Sequence, residues 1–144
     1  MSVDTEMGEV KILDYAVCED GGVLVNPMIV DGQVVGGVAQ GIGTALYEEM
    51  PFDDAGQPLA TTLADYVLPG ATEVPVLRID HMETPSPYTS FGQKGIGEGG
   101  AIGPPAAIAN AVNDALRPFG AAVHQLPITP RRVLQALLDA RAPA

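Results

Sequence analysis

Two glutamines, a lysine and a glutamate stand among unusually small neighbours in this sequence. Gln33 and Gln40 are seven residues apart. At about 100° per residue of α-helix, that spacing sets both amides on one face, with Gly36 and Gly37 between them and Gly41 and Thr44 further along. Each glycine weakens a helix by about 1 kcal/mol relative to alanine, so Gly36, Gly37, Gly41 and Gly43 call for a compensating reason. One is close packing against another helix. The other is close approach of a bulky cofactor whose polar atoms the glutamine amides would bond. Spacing alone leaves both open. The second feature is Gly92-Gln93-Lys94-Gly95-Ile96-Gly97-Glu98-Gly99-Gly100, a glycine loop running toward a helix start, which is a generic anion-binding arrangement. Lys94 is followed by Gly95 and not by Ser or Thr, so it is no Walker loop, and no strong strand precedes it as a dinucleotide fingerprint requires. Glu98 has glycine on both sides, which leaves its carboxylate within reach of a substrate. The alternative role is a solvated acid capping the next helix.

Other candidates carry less. His81-Met82-Glu83 mimics the His-x-Glu of zinc deaminases, but the Pro-Cys-x-x-Cys partner is absent. His124 is expected in a strand, as a structural residue. Cys18 lies beside Glu19 and Asp20, which oppose thiolate formation. The acidic residues are scattered as on a solvated surface, and no metal-binding set is expected.

The elements that must position these residues follow from periodicity. Thr5–Gly8 reads as a turn, Glu9–Cys18 as a strand, Asp20-Gly21-Gly22 as a tight turn and Val23–Val25 as a short strand. Val3 reads as the stub of a strand whose beginning is missing. Asn26-Pro27 starts a long helix that runs to about Met50, with Val30, Val34, Val38, Ile42 and Leu46 as its apolar stripe. Tyr66–Leu68 and Val76–Ile79 are expected strands. Thr84–Pro105 reads as a long irregular loop, and such a loop inside a compact domain is usually functional. A second helix is expected from Pro104-Pro105, with Ile108, Val112 and Leu116 buried and Pro118 and Gly120 ending it. Val123–Leu126 is an expected strand. Thr129-Pro130 caps a third helix with Val133, Leu134, Leu137 and Leu138 on one face. The fold class is α+β: a mixed sheet with about three helices, one of them long and glycine-containing, and a glycine-rich active-site loop.

The chain has 144 residues, 47% of them hydrophobic, enough for a single domain over residues 1–144 with a real core. Its net charge of -11 argues against a nucleic-acid or anionic-membrane surface. Its single cysteine excludes an internal disulfide framework and an iron–sulfur cluster held by this chain alone. No run approaches the roughly 18 apolar residues of a membrane span, and the first residues lack the pattern of a signal peptide. A cytoplasmic protein is the expectation.

Several segments, in one order, resemble a known family: Asn26–Glu49 (NPMIVDGQVVGGVAQGIGTALYEE), Asp65-Tyr66, Thr84-Pro85-Ser86-Pro87, Lys94-Gly95-Ile96-Gly97-Glu98, Ile108–Ala115 and Thr129-Pro130-Arg131-Arg132-Val133. The family is the molybdopterin-binding large subunit of the xanthine dehydrogenase, aldehyde oxidase and aerobic carbon-monoxide dehydrogenase group. The resemblance covers nearly the whole chain and implies a C-terminal segment of such a subunit, incomplete or split, and inactive alone. It implies hydroxylation of an aldehyde, N-heterocycle or similar small carbon substrate, with water as oxygen source. Glu98 is then the base and Gln33 a pterin ligand, with Lys94, Gly95 and Gly97 in the same motif. Gln40, placed beside Gln33 only by the helical-face argument, is a further cofactor-binding candidate. The implied cofactor is molybdopterin with its molybdenum, the cytosine dinucleotide form being one option. The implied partners are the remainder of the subunit, an iron–sulfur subunit and an FAD subunit. Cys18 does not match the cysteine loop of the carbon-monoxide branch, so the chain gives no argument for copper. A non-catalytic assembly or scaffold fragment is the competing role, and an independent phosphate-binding module rests on the glycine loop alone.

Overall fold

The computed structural model describes residues 1–142. Two long helices form its centre. Asn26 caps the first, α1 (Pro27–Leu46), by accepting from Ile29 N–H at 3.3 Å, with Pro27 at the first helical position. The expected stripe Val30, Val34, Val38, Ile42 and Leu46 is buried throughout. It packs against α2 (Gly99–Leu116), whose Ile108, Val112 and Leu116 are equally buried. The third helix, α3 (Pro130–Arg141), is capped by Thr129, which accepts from Arg132 N–H, and it adds Val133 and Leu137 to the same core. Leu138, expected on that face, is exposed at the helix edge.

The strands are mixed in direction and fall into two separate pairs. The first, β1 (Ser2–Val3) and β2 (Val10–Lys11), is antiparallel, closed by Asp4 Oδ1 accepting from Glu6 and Met7 N–H at 2.8 and 2.9 Å. The second, β3 (Tyr15–Asp20) and β4 (Leu77–Met82), is parallel, with Tyr15, Val17 and Glu19 opposite Leu77, Ile79 and His81 on the inward face. The expected strand Glu9–Cys18 is therefore two strands. The chain changes partners from β1 to β4, and it must bend between Lys11 and Tyr15 to do so.

Other boundaries also move. Helix α1 stops at Leu46, short of Met50, because Tyr47 and Glu48 N–H both turn back onto Gly43 O. Tyr66–Leu68 forms no strand; Tyr66 sits at a turn whose hydroxyl donates to the Glu48 carboxylate. The strand expected at Val76–Ile79 is β4, extended through His81 and Met82 by pairing along all of β3. Helix α2 begins at Gly99, with Pro104 and Pro105 inside it. Interior proline costs ladder hydrogen bonds, but here the Pro104 ring is buried against Gly41 of α1, where an added Cβ would lie 2.7 Å from it. Val123–Leu126 is not a strand. The Asn113 side chain takes the place of a strand partner, bonding Val123 O and N–H at 3.0 and 2.8 Å, and His124 is exposed.

Candidate active site

Four sets of contacts hold the glycine loop. Its first half pairs with the residues after β3, which is why Val23–Val25 makes no strand of its own: Lys94 N–H donates to Gly21 O at 2.8 Å and Val23 N–H to Gly92 O at 3.1 Å. Asp20, the last residue of β3, gathers the surrounding ends. Its Oδ1 accepts from Gly22 and Thr84 N–H, each at 3.0 Å, and its Oδ2 lies 3.1 Å from Lys94 Nζ. Bonds from the Thr84 side chain and backbone first, then from Gly22 and Lys94, hold the Asp20 carboxyl well below the usual carboxylate range. The second half of the loop is tied to α1, where Gln33 Nε2 donates to Gly97 O at 2.6 Å. Finally, the first turn of α2 lies directly on α1. A Cβ on Gly100 would stand 2.6 Å from Val34 O, and one on Gly37 would stand 2.9 Å from the backbone of Gly100 and Ala101.

These contacts separate the glycines that spacing alone left undecided. Gly37 and Gly41 are small because α2 approaches there. Gly32 and Gly36, on the other side of α1, and Gly95 and Gly97 in the loop have nothing within 4 Å of an added Cβ. Each faces open space, Gly32 and Gly36 beside Gln33 in α1 and Gly97 bonded to it. Glu98 stands where the packed glycines meet the open ones. It occupies the N-cap position of α2, yet its side chain makes no capping hydrogen bond and is exposed. The capping role is thus not made, and the carboxylate stands exposed at the start of α2.

The fold brings Gln33, Lys94, Gly95, Gly97 and Glu98 together. It does not draw Gln40 into the cluster: that side chain is exposed, takes part in no hydrogen bond, and lies about 10 Å along the helix from Gln33 at 1.5 Å per residue. Lys94 is engaged by Asp20, so its amine acts as a brace for the loop. Asp20 and Thr84 were not legible as loop-holding residues. Asp20-Gly21-Gly22 read only as a turn, and nothing local signals a bond to a residue 64 positions away. Cys18 is exposed, and His81 faces inward on β4 with its Nε2 2.7 Å from Asp31 Oδ1.

A molybdopterin fits this arrangement. Its flat, polar heterocycle needs bare backbone to lie against and amide groups at its edge. The open surface at Gly32, Gly36, Gly95 and Gly97 supplies the first, and the Gln33 carboxamide, whose oxygen is unused, supplies the second. Among the described residues no group of three or more His, Cys, Asp or Glu side chains is arranged to hold a metal ion. Exposed Val25, Met28, Ile29, Phe91 and Ile102 add apolar surface on the loop and the ends of α1 and α2 nearest to it. Among the described residues no helix is long and apolar enough to cross a membrane.

Comparison with known proteins points to the same class of cofactor. The molybdopterin cofactor-binding domain family matches residues 1–75. The nicotine 6-hydroxylase large subunit of Paenarthrobacter nicotinovorans is 45% identical over 99% of the chain, and the carbon monoxide dehydrogenase large chain of Hydrogenophaga pseudoflava 38% identical over 96%. Among solved structures, quinoline 2-oxidoreductase from Pseudomonas putida 86 superposes with a TM-score of 0.93 at 44% identity over 98% of the chain. The chain spans 18%, 17% and 18% of the length of these three relatives.

Proposed function

Because the chain belongs to the molybdopterin cofactor-binding domain family, we propose that it forms one wall of a molybdenum hydroxylase active site, as the C-terminal segment of the large subunit. The carrying observation is Glu98: an exposed carboxylate without a capping bond, set where the open glycine surface begins. When bound, the cofactor supplies the metal centre that takes up electrons while water provides the oxygen. This chain's residues do the rest on their side of the site. Gln33 fixes the loop through Gly97 O and offers its carboxamide oxygen to the pterin edge. Gly36, Gly95 and Gly97 let the ring system approach. Lys94, braced by Asp20, keeps the loop in register. Glu98 accepts the proton released as the substrate is oxidised; a general base must sit within hydrogen-bond reach of that proton with its carboxylate ionised.

The substrate class is an aldehyde, an N-heterocycle or another small carbon compound. The exposed apolar side chains around the loop suit coverage by the remainder of the subunit, and electrons would leave through iron–sulfur and FAD subunits. The cytosine dinucleotide form of the cofactor belongs to the same proposal. So does a cytoplasmic location, which suits an exposed, unpaired Cys18. Purification from the native host with its partners, followed by metal and pterin analysis, tests the proposal. Stoichiometric molybdenum and pterin in a complex containing this chain is the expected result, with little of either on the chain alone. A complex free of both would contradict it.

A further inference from the structure

Beside the start of α2 lies a group of charged side chains that the proposed reaction does not use. Glu19 is on the inward face of β3, and its Oε1 is sealed from solvent with no hydrogen-bond partner. An added Cβ on Gly99 would stand 2.9 Å from both Glu19 carboxylate oxygens, so the carboxylate rests on the backbone of the residue that follows Glu98. Opposite Glu19 in the parallel register is His81, whose Nδ1 is likewise sealed and unpartnered. The other ring nitrogen, Nε2, lies 2.7 Å from Asp31 Oδ1 on α1. Asp31 is two residues from Gln33, which holds Gly97 O. The links therefore run from Asp31 of α1 to His81 of β4, across the strand pairing to Glu19 of β3, and on to Gly99 of α2, while Gln33 of α1 holds Gly97 on the other side of Glu98 in the chain. Buried polar atoms without partners are uncommon in native proteins and call for a specific explanation. Two of them on paired residues beside the start of α2 point to a local purpose.

We propose that Glu19, backed by His81 and Asp31, is the positioning residue for Glu98: its carboxylate fixes the first turn of α2 through contact with Gly99 and so sets where the Glu98 carboxylate stands. This also accounts for the glycine pair after Glu98. Gly100 is small for Val34 O of α1 and Gly99 is small for Glu19 of β3, so the pair is a two-sided seat and not a flexible hinge. The inference rests on the reading of Glu98 as the base.

The test uses the assembled, molybdenum-loaded enzyme with Glu19→Ala, Glu19→Gln, Gly99→Ala and the double variant Glu19→Ala/Gly99→Ala. Turnover is read together with hydrogen exchange of the backbone amides from residue 96 to 102. Glu19→Ala is expected to lower kcat about 10- to 100-fold, the scale of a misplaced reacting group, with KM within about twofold and molybdenum content unchanged. Exchange in the first turn of α2 should quicken. Glu19→Gln, which keeps the size, should recover kcat to within about threefold of the parent. Gly99→Ala should resemble Glu19→Ala, and the double variant should fall no lower than the poorer single one, because the new Cβ enters space the carboxylate has left. Parent-like kcat and exchange in Glu19→Ala, or losses that multiply in the double variant, would overturn the proposal. Should Glu19→Ala not fold, Gly99→Ala decides alone: parent-like exchange and kcat there would overturn it. If exchange responds as expected while Glu98→Gln turns over like the parent, the base assignment has failed and only the contact between Glu19 and α2 survives.

Discussion

Alanine at Gly36 and alanine at Gly37 should change this protein in opposite directions, although the two glycines are adjacent in one helix. Both substitutions gain about 1 kcal/mol of helix propensity. At Gly36 nothing lies within 4 Å of the new methyl, so the gain stands. At Gly37 the methyl would lie 2.9 Å from Ala101 N and from two Gly100 backbone atoms. Ordinary contact begins about 0.5 Å or more further out, and backbone cannot swing aside as a side chain can. Overpacking of this kind costs about 1–3 kcal/mol, and a clash with three backbone atoms belongs at the upper end. The net effect is a loss of about 2 kcal/mol for Gly37→Ala and a gain of about 1 kcal/mol for Gly36→Ala. At about 3 °C per kcal/mol for a chain of this size, the midpoints should move roughly 6 °C down and 3 °C up. Thermal and urea unfolding of the purified variants read this directly. The assembled complexes should show a second reversal: the more stable Gly36→Ala should lose pterin, because its methyl occupies the surface the cofactor needs. Midpoints that move in the same direction would refute the division of the glycines, and full pterin content in Gly36→Ala would refute the placement of the cofactor.

Gln33→Ala should lower pterin retention in the complex, because it removes the 2.6 Å bond to Gly97 O and the free carboxamide oxygen together. Val34→Ala, at a fully buried position, should instead cost about 2 kcal/mol of stability with pterin content kept, as unfolding and pterin assays on the two variants would show. Arg132→Ala should destabilise by about 1–3 kcal/mol in urea titration, since Arg132 bonds Glu49 Oε1 at 2.6 Å and Pro127 O at 2.5 Å and pins the start of α3 to the segment that follows α1. The depressed Asp20 carboxyl stabilises the loop at every pH above its ordinary value of 3.8, and this contribution is lost as pH falls from there through the lower folded value. Exchange protection of the Lys94 amide should therefore hold from neutral pH to about pH 4 and decline below it, and Asp20→Asn should show weakened protection already at neutral pH.

The helices were legible where capping and burial are local. Asn26-Pro27 and Thr129-Pro130 mark their helix starts because a side-chain oxygen and a proline act within one turn, and Val30 to Leu46 declares its buried stripe by period alone. What the sequence conceals depends on distant partners. Helix α2 starts at Gly99 because α1 offers Gly37 and Gly41 to receive it, so Pro104 misleads as a start signal. Val23–Val25 and Val123–Leu126 have strand-like composition, yet their backbones are occupied by the glycine loop and by Asn113. The site divides in the same way. Glu98 and Gln33 stand out by their small neighbours, whereas Asp20, Thr84 and Glu19 act across contacts formed only once β3 and β4 are paired. Gln40 shows the limit of the helical-face argument: sharing a face with Gln33 does not place it at the loop, because two turns of helix separate them.

If Glu98 is the base of a molybdenum hydroxylase site, the turnover of Glu98→Gln in the assembled enzyme, at molybdenum and pterin content equal to the parent, reports it most directly. Glutamine keeps the shape of the side chain and removes its basicity. Because Glu98 makes no capping bond to α2, the fold and the cofactor content should be unaffected, and kcat should fall by about 10²–10⁴-fold or more. Parent-like turnover in a fully loaded Glu98→Gln enzyme would show that Glu98 is not the base.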